Sequence, residues 1–112
     1  MPRTMGFAKA MGASLFAEKI SAVDAAASGL IWEAVPNDSF EETWKARAAQ
    51  LASGPTVAYQ KVKKALRESL GNTLDEQLAL EARLQKECGQ TRDFSEGVLA
   101  FTEKRAANFE GR

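Results

Sequence analysis

Histidine is absent from the 112 residues of this chain, and Cys88 is the single cysteine. Zinc and iron sites built from imidazole and thiolate ligands are therefore excluded, as is an internal disulfide. This cysteine usage favours a reducing, cytoplasmic setting. The Ser-His-Asp and Cys-His schemes of hydrolases are excluded too, because no imidazole can act as their base. Cys88 itself is better explained as a small buried hydrophobe than as a reactive thiol.

An excess of either charge and a long apolar run are also missing. Fifteen basic and fifteen acidic residues give a formal net charge of zero, so no overall field attracts nucleic acid or an anionic membrane. No apolar run approaches the roughly 20 residues that a bilayer-spanning helix needs, and the N-terminus lacks the pattern of a secretory signal. We therefore expect no nucleic-acid partner and no membrane partner.

The basic run of Lys61, Lys63, Lys64 and Arg67 leaves one alternative open, a helix that binds nucleic-acid phosphates. A solvated helix face explains such a run more often. Only Tyr59 accompanies it, and there is no interleaving of aromatic residues on which bases could stack. Dinucleotide and phosphate-loop fingerprints are absent as well, since Gly6 and Gly12 lie in a helical pattern and not after a strand.

Helical patterns with start and stop signals make up most of the chain, and a length of 112 residues predicts one small domain. Residues 3–16 have helical spacing that two glycines weaken. Ser21 with Asp24 predicts a capped helix that stops at Gly29. Residues 30–35 are short, apolar and followed by Pro36, which predicts a single brief strand or extended segment.

The second half of the chain predicts four further helices. An amphipathic helix starts at residue 38 or 39 and ends at Ser53 and Gly54, and Pro55 begins the next helix in its first turn. Thr73 with Glu76 has capping-box spacing and opens a helix over residues 74–88. Asp93 with Glu96 is interpreted as the cap of the last helix. The predicted fold class is therefore mainly α with at most one short strand.

Three segments resemble a known family. They are KISAVDAAASGLIWEAV (residues 19–35), NTLDEQLALE (72–81) and DFSEGVLAFTEKRAANFEGR (93–112). Together they resemble the C-terminal portion of the enoyl-CoA hydratase/isomerase (crotonase) superfamily. Within that superfamily, GLIWEAV, NTLDEQLALE and the Cys88-Gly89 joint look most like the bacterial phenylacetate-pathway isomerases that act on ring-epoxidised phenylacetyl-CoA.

The resemblance implies two regions with different roles. Residues 1–36 would be the tail of a crotonase-like ββα core, and residues 37–112 the C-terminal helical region that assembles trimers, often paired into hexamers. In the family, two backbone amides polarise the thioester carbonyl and acidic residues move protons. Both sets lie upstream of the matching region, so we assign no catalytic residue and expect the chain alone to be inactive. The implied parent enzyme uses a coenzyme A thioester as substrate and no cofactor.

The resemblance also implies a contact with coenzyme A. In the family a terminal Phe-x-x-Lys element approaches the adenine and phosphates of the ligand, and Phe101 and Lys104 match it here. Their i, i+3 spacing places both on neighbouring points of one helix face. An aromatic ring can pack on adenine while an ammonium meets phosphate oxygen. The alternative for Phe101 is a core position, because it continues the apolar stripe of Phe94 and Val98.

Four leucines, Leu74, Leu78, Leu80 and Leu84, give one predicted helix a broad apolar surface. We expect them to serve packing and subunit contact, the alternative being an entirely intramolecular core. Two other functions stay open at this point. One is a stand-alone helical interaction module, and the other is the nucleic-acid binder described above.

Overall fold

The computed structural model describes all 112 residues and contains seven α-helices and no strand. The helices are α1 (Pro2–Met5), α2 (Phe7–Phe16), α3 (Ala22–Ala27), α4 (Asn37–Ala52), α5 (Thr56–Glu68), α6 (Leu74–Gly89) and α7 (Arg92–Glu103). The mainly α fold class expected from the sequence is confirmed. None of the helices combines the length and apolar character that crossing a membrane requires.

Helix α3 starts and stops where its sequence predicts. The Ser21 hydroxyl oxygen accepts a hydrogen bond from the Asp24 amide at 3.1 Å, which satisfies one of the free donors of the first turn. Gly29 follows the helix with φ 73°, and the amides of Gly29 and Leu30 donate to the carbonyls of Ala26 and Ala25. This pair of bonds is a Schellman motif, in which glycine takes the left-handed position at the least steric cost.

Helix α6 opens with the complete capping box that its sequence predicts. The Glu76 amide donates to the Thr73 hydroxyl oxygen, and the Thr73 amide donates to the Glu76 carboxylate at 2.8 Å. Hydrogen bonds from the Thr73 amide and hydroxyl lower the pKa of Glu76. The start of this helix therefore has a local cause, and its last residue is Gly89.

Three predicted boundaries differ in the structure. Gly6, with φ 81°, divides the pattern of residues 3–16 into α1 and α2. Pro55 stands at the N-cap just before α5 and not in its first turn. Residues 30–35 form no strand, because an isolated strand has no neighbour to satisfy its backbone groups.

The predicted cap of α7 is wrong. Thr91 is the N-cap, and its hydroxyl oxygen accepts a hydrogen bond from the Phe94 amide at 3.1 Å. Asp93 lies inside the first turn and is only 4% exposed. Its carboxylate accepts hydrogen bonds from amides at the far end of the chain instead, as described below. Threonine and aspartate are both common N-cap residues, so the sequence pattern alone does not show whether Thr91 or Asp93 caps α7.

The chain divides into two compact units and not the single domain that its length predicts. The first covers Met1–Trp44 and the second Lys45–Arg112, so the boundary falls within α4. The first unit buries Ala10 and Ala25, and α1 packs against α2. In the second unit α6 packs against α5 and α7, and the buried apolar residues are Leu80, Leu84 and Ala100. The assignment of separate roles to residues 1–36 and 37–112 remains a prediction.

Candidate functional site

The predicted ligand pair lies at the C-terminal end of α7. Phe101 is in the last turn of the helix and 86% exposed, so it is not a core residue of this chain. Lys104 directly follows the helix and has a left-handed backbone, with φ 55°. Its amide donates to the Phe101 carbonyl and the Arg105 amide donates to the Ala100 carbonyl, which completes a second Schellman motif. The structure thus brings Phe101 and Lys104 together on one exposed turn.

Lys104 is the unpaired cation of this turn. Arg105 forms ion pairs with Glu96 and Glu103, and Arg112 pairs with Glu110, whereas the Lys104 ammonium pairs with no carboxylate. A free ammonium on the same turn as an exposed aromatic ring suits a ligand that joins an anionic group to a flat ring.

An open pocket of about 380 Å³ adjoins Phe101. Such a volume is within the range of small-molecule sites. The start of α5, the end of α6, helix α7 and the C-terminal segment all contribute to its walls. The lining residues are Pro55, Ala58, Cys88, Thr91, Asp93, Phe94, Gly97, Val98, Phe101 and Phe109. The stripe of Phe94, Val98 and Phe101 therefore forms one wall of a largely apolar pocket.

The last eight residues, 105–112, form a segment that we call the tail, and Asp93 anchors its end. The two carboxylate oxygens of Asp93 accept hydrogen bonds from the amides of Glu110 at 2.7 Å and Gly111 at 2.9 Å. The Asp93 amide in turn donates to the Arg112 carbonyl at 3.0 Å. Each oxygen of the buried carboxylate thus has a backbone donor from the tail.

Glu96 anchors the start of the tail. The Arg105 guanidinium donates to both of its carboxylate oxygens, at 2.6 and 2.9 Å, and the Asn108 amide donates to one of them at 2.8 Å. These bonds, the one from Arg105 first, lower the pKa of Glu96 from 4.5 to about 2. The hydrogen bonds to Glu96 and Glu103 raise the pKa of Arg105 further above its usual range.

Sequence reasoning missed these anchors because their partners are distant in the chain. Arg105 is nine residues from Glu96 and Gly111 is eighteen from Asp93, separations that no helical period predicts. One signal was available. It is Gly111, a residue type that favours turns, and its φ in the structure is 77°.

The four leucines of α6 fall into two pairs. Leu80 and Leu84 are buried within this chain, 5% and 4% exposed, as the intramolecular alternative expects of them. Leu74 and Leu78 are exposed by 75% and 56%, so their side chains are available to a partner. A role of these leucines in subunit contact stays a prediction, and Leu74 and Leu78 are its accessible members.

The other candidate residues form no active centre. Lys61 of the basic run is paired with Glu87, whose pKa the bond lowers, and Lys64 pairs with Glu68 at 3.8 Å. Half of that run is thus already matched by carboxylates. Cys88 is half-buried, and no cluster of three or more metal-ligating side chains exists. The arrangement can bind a ligand but contains no activated nucleophile with its base.

Comparison with known proteins places the whole chain in one family. The model of the family "Enoyl-CoA hydratase/isomerase" matches residues 1–112. The chain is 61% identical over 112 residues to a probable enoyl-CoA hydratase of Rhodobacter capsulatus, covering all of this chain and 44% of that protein. It is 38% identical over the same length to the 1,2-epoxyphenylacetyl-CoA isomerase of Escherichia coli K12, of which it covers 43%.

Solved structures agree with the sequence relatives. A putative enoyl-CoA hydratase/isomerase from Mycobacterium abscessus matches 99% of this chain with a TM-score of 0.92 and 36% identity. A putative enoyl-CoA hydratase from Streptomyces coelicolor matches all of it with a TM-score of 0.91 and 30% identity. The chain spans 43% and 41% of those two proteins, less than half in each case. On these matches, the chain belongs to the enoyl-CoA hydratase/isomerase family.

Proposed function

We propose that this chain works as the C-terminal part of a longer enzyme that acts on coenzyme A thioesters. In that enzyme it supplies helices for subunit assembly and one side of the coenzyme A pocket, while the catalytic groups come from the rest of the polypeptide. The family membership and the 44% share of the Rhodobacter capsulatus relative support this proposal. The observation that carries the ligand role is that Lys104, which pairs with no carboxylate, and the exposed Phe101 lie on the same turn at the end of α7.

The surface of the chain supports a need for partners. Each unit leaves large apolar side chains exposed, among them Phe7 and Leu15 in the first unit and Leu70 and Leu74 in the second. The buried apolar residues number five, and three of them are alanines. Alanine contributes little transfer free energy, so this core is small for the length of the chain.

Helices α4 and α5 support the same conclusion, because neither contains a buried residue. Phe40 of α4, and Val62 and Leu66 of α5, are apolar and more than half exposed. Amphipathic helices are stabilised mainly by burial of their apolar face. We propose that other subunits, or the remainder of the polypeptide, cover these faces in a homo-oligomer such as a trimer or hexamer.

The exposed turn of α7 would contact the nucleotide part of coenzyme A. The Phe101 ring can pack against adenine, and the Lys104 ammonium can reach a phosphate oxygen. Binding of this kind acts on ground state and transition state alike, because the nucleotide does not react. Loss of this contact is therefore expected to raise KM more than it lowers kcat.

For the reaction, we propose hydration or double-bond isomerisation of an enoyl-CoA. The 61% identity to a probable enoyl-CoA hydratase supports it. The 38% identity to the Escherichia coli isomerase supports a second candidate, isomerisation of ring-epoxidised phenylacetyl-CoA in phenylacetate degradation. Turnover of an enoyl-CoA and of the epoxide by the native-length protein distinguishes the two.

Exchange of Lys104 for alanine in the native-length protein tests the ligand role. We expect Lys104→Ala to raise KM for the coenzyme A thioester about tenfold, which corresponds to about 1.4 kcal/mol, and to leave kcat within about twofold. Lys63→Ala is the matched control, because Lys63 is an exposed lysine of the basic run on α5. An unchanged KM in Lys104→Ala removes Lys104 from the site. An equal rise in the control indicates a general effect of charge.

The exposed apolar faces also support a function of another class, a helical interaction module that acts on its own. Such a module would need a protein partner, as the proposed enzyme does, but it would not need to bind coenzyme A. A protein that self-associates strongly and shows no binding of coenzyme A would favour it over the enzyme.

A further inference from the structure

The tail lies against α7 and runs antiparallel to it. As the tail proceeds from Arg105 to Arg112, its partners on the helix move back from Ala100 through Glu96 to Asp93. Between these anchors the Phe109 ring lies over Gly97, where a methyl group added to that glycine would be 3.6 Å from the ring. The turn that reverses the chain direction is the one occupied by Lys104.

We propose that Asp93 and Glu96 are positioning residues, whose carboxylates fasten the tail to α7 and thereby hold Lys104 in the orientation that meets the anionic part of the ligand. This inference rests on the proposed function and adds to it the means by which the site is kept in shape. Neither carboxylate touches the ligand in this account, since backbone and guanidinium donors of the tail occupy both.

The backbone of Lys104 shows why such a fastening is needed. The same Schellman motif ends α3 and α7, with Gly29 in the left-handed position of the first and Lys104 in that of the second. Only Ala17 and Lys104 combine a positive φ with a side chain in this structure. A side chain in that conformation is strained, and such strain persists when the surrounding structure imposes it. Glu96, acting through Arg105, is the constraint immediately after the strained residue.

The anchors also decide which cation faces the ligand. The region 104–112 contains three, and the carboxylates of Glu96 and Glu103 occupy Arg105 while Glu110 occupies Arg112. Only the Lys104 ammonium remains free. If Glu96 is neutralised, the Arg105 guanidinium loses its bidentate partner and the turn loses its brace, so both the position and the number of free cations change.

Kinetics of the native-length protein with two substrates test the inference. One is a coenzyme A thioester, and the other is the matching pantetheine thioester, which lacks the nucleotide that Lys104 would meet. We expect Glu96→Gln and Asp93→Asn to raise KM for the coenzyme A thioester about fivefold, with kcat and the KM for the pantetheine thioester unchanged. Glu96→Asp keeps a carboxylate and is expected to restore part of the preference for the nucleotide. Asp75→Asn is the control, because Asp75 is an exposed carboxylate of α6 that lies outside α7 and the tail.

A general loss of structure would raise KM for both substrates equally, and that result overturns the positioning role. Unchanged kinetics of Glu96→Gln beside an affected Lys104→Ala overturns it as well, while leaving the proposed function in place. If Asp93→Asn prevents folding, Glu96→Gln alone decides.

Amide hydrogen exchange gives a readout that does not depend on activity. We expect the amide of Asn108 to exchange faster in Glu96→Gln, and the amides of Glu110 and Gly111 to exchange faster in Asp93→Asn. Unchanged exchange at these amides overturns the fastening itself. Faster exchange at these amides, together with an unchanged KM in Lys104→Ala, would show that the carboxylates fasten the tail. It would also refute the ligand role of Lys104, and with it the positioning role.

Discussion

Lys104 combines two properties that rarely occur at one residue, a left-handed backbone and an unpaired charge. A β-carbon in the left-handed region costs about 1 kcal/mol relative to glycine, which is why glycine is the usual residue at the end of a helix. A lysine at this position is explained if its ammonium is used.

We therefore expect Lys104→Gly to raise the free energy of unfolding by up to about 1 kcal/mol, because it relieves this conformation. The same variant should weaken binding of the coenzyme A thioester, since the ammonium is gone. Urea denaturation and KM of the native-length protein measure the two effects. Lys104→Ala is the control, as it removes the charge and keeps the β-carbon. Equal stability of the glycine and alanine variants would contradict the account of strain.

Glu96 makes the tail sensitive to acid. Its pKa is about 2 in the folded chain and 4.5 ordinarily, so its contribution to stability is complete above pH 4.5 and is lost as the pH falls from 4.5 towards 2. We expect the amide resonance of Asn108 to shift only as the pH approaches 2, where Glu96 is protonated and the tail detaches. NMR titration measures the pKa directly. A Glu96 pKa near 4.5 would show that the pair with Arg105 does not form in solution.

At the residue scale, the sequence predicts what is local and misses what is not. The bonds of Ser21 with Asp24 and of Thr73 with Glu76 span three residues, and both were predictable from spacing. The role of Asp93 was not, because its partners are brought to it by the turn at Lys104. The exposure of Phe101 was equally beyond the pattern, since Phe94, Val98 and Phe101 have the spacing of a core stripe.

At the scale of single elements, α6 has the best-defined start. Its capping box satisfies two free amide groups of the first turn, and such caps contribute about 1 kcal/mol. We expect Thr73→Ala to lower the free energy of unfolding by about that amount. Thr102→Ala on α7 is the matched control, because its hydroxyl donates only to the Val98 carbonyl within the helix. Chemical denaturation measures both, and equal losses would contradict the capping role.

Element starts were the most predictable part of this fold, and tertiary partners were the least. The capping signals of α3 and α6 were sufficient to place those helices. Residues 30–35, predicted as a brief strand or extended segment, form no strand, because pairing is not a local property and nothing in this chain pairs with the segment. Gly6 divided the first helical pattern by adopting a conformation that other residues avoid.

At the scale of the whole molecule, α6 offers two leucines for a direct comparison. Leu78 is 56% exposed, so Leu78→Asp should leave the fold intact while lowering the oligomer mass of the native-length protein. Leu80 is 5% exposed, and Leu80→Asp places an unpaired charge in the core, which we expect to cost about 4 kcal/mol of stability. Light scattering and thermal unfolding separate the effects. An unchanged oligomer mass in Leu78→Asp would count against subunit contact at this face.

Composition and length predict one domain, yet the chain has two compact units. Within each unit large apolar residues remain exposed, such as Phe16 and Trp32 in the first and Leu66 in the second. A sequence shows that a face is apolar, but it does not show which surface covers that face. Family membership supplies what periodicity cannot, a reason to expect the covering surface in other parts of a larger enzyme.

The most direct test of this account is the intact mass of the polypeptide that carries these residues in the cells that make it, captured with an antibody raised against the tail. The account predicts a mass well above the 12.2 kDa of this chain, in keeping with relatives of which it covers about 44%. A native mass of 12.2 kDa would contradict it. The apolar faces of α4 and α5 would then belong to a helical interaction module that acts without an enzyme around it.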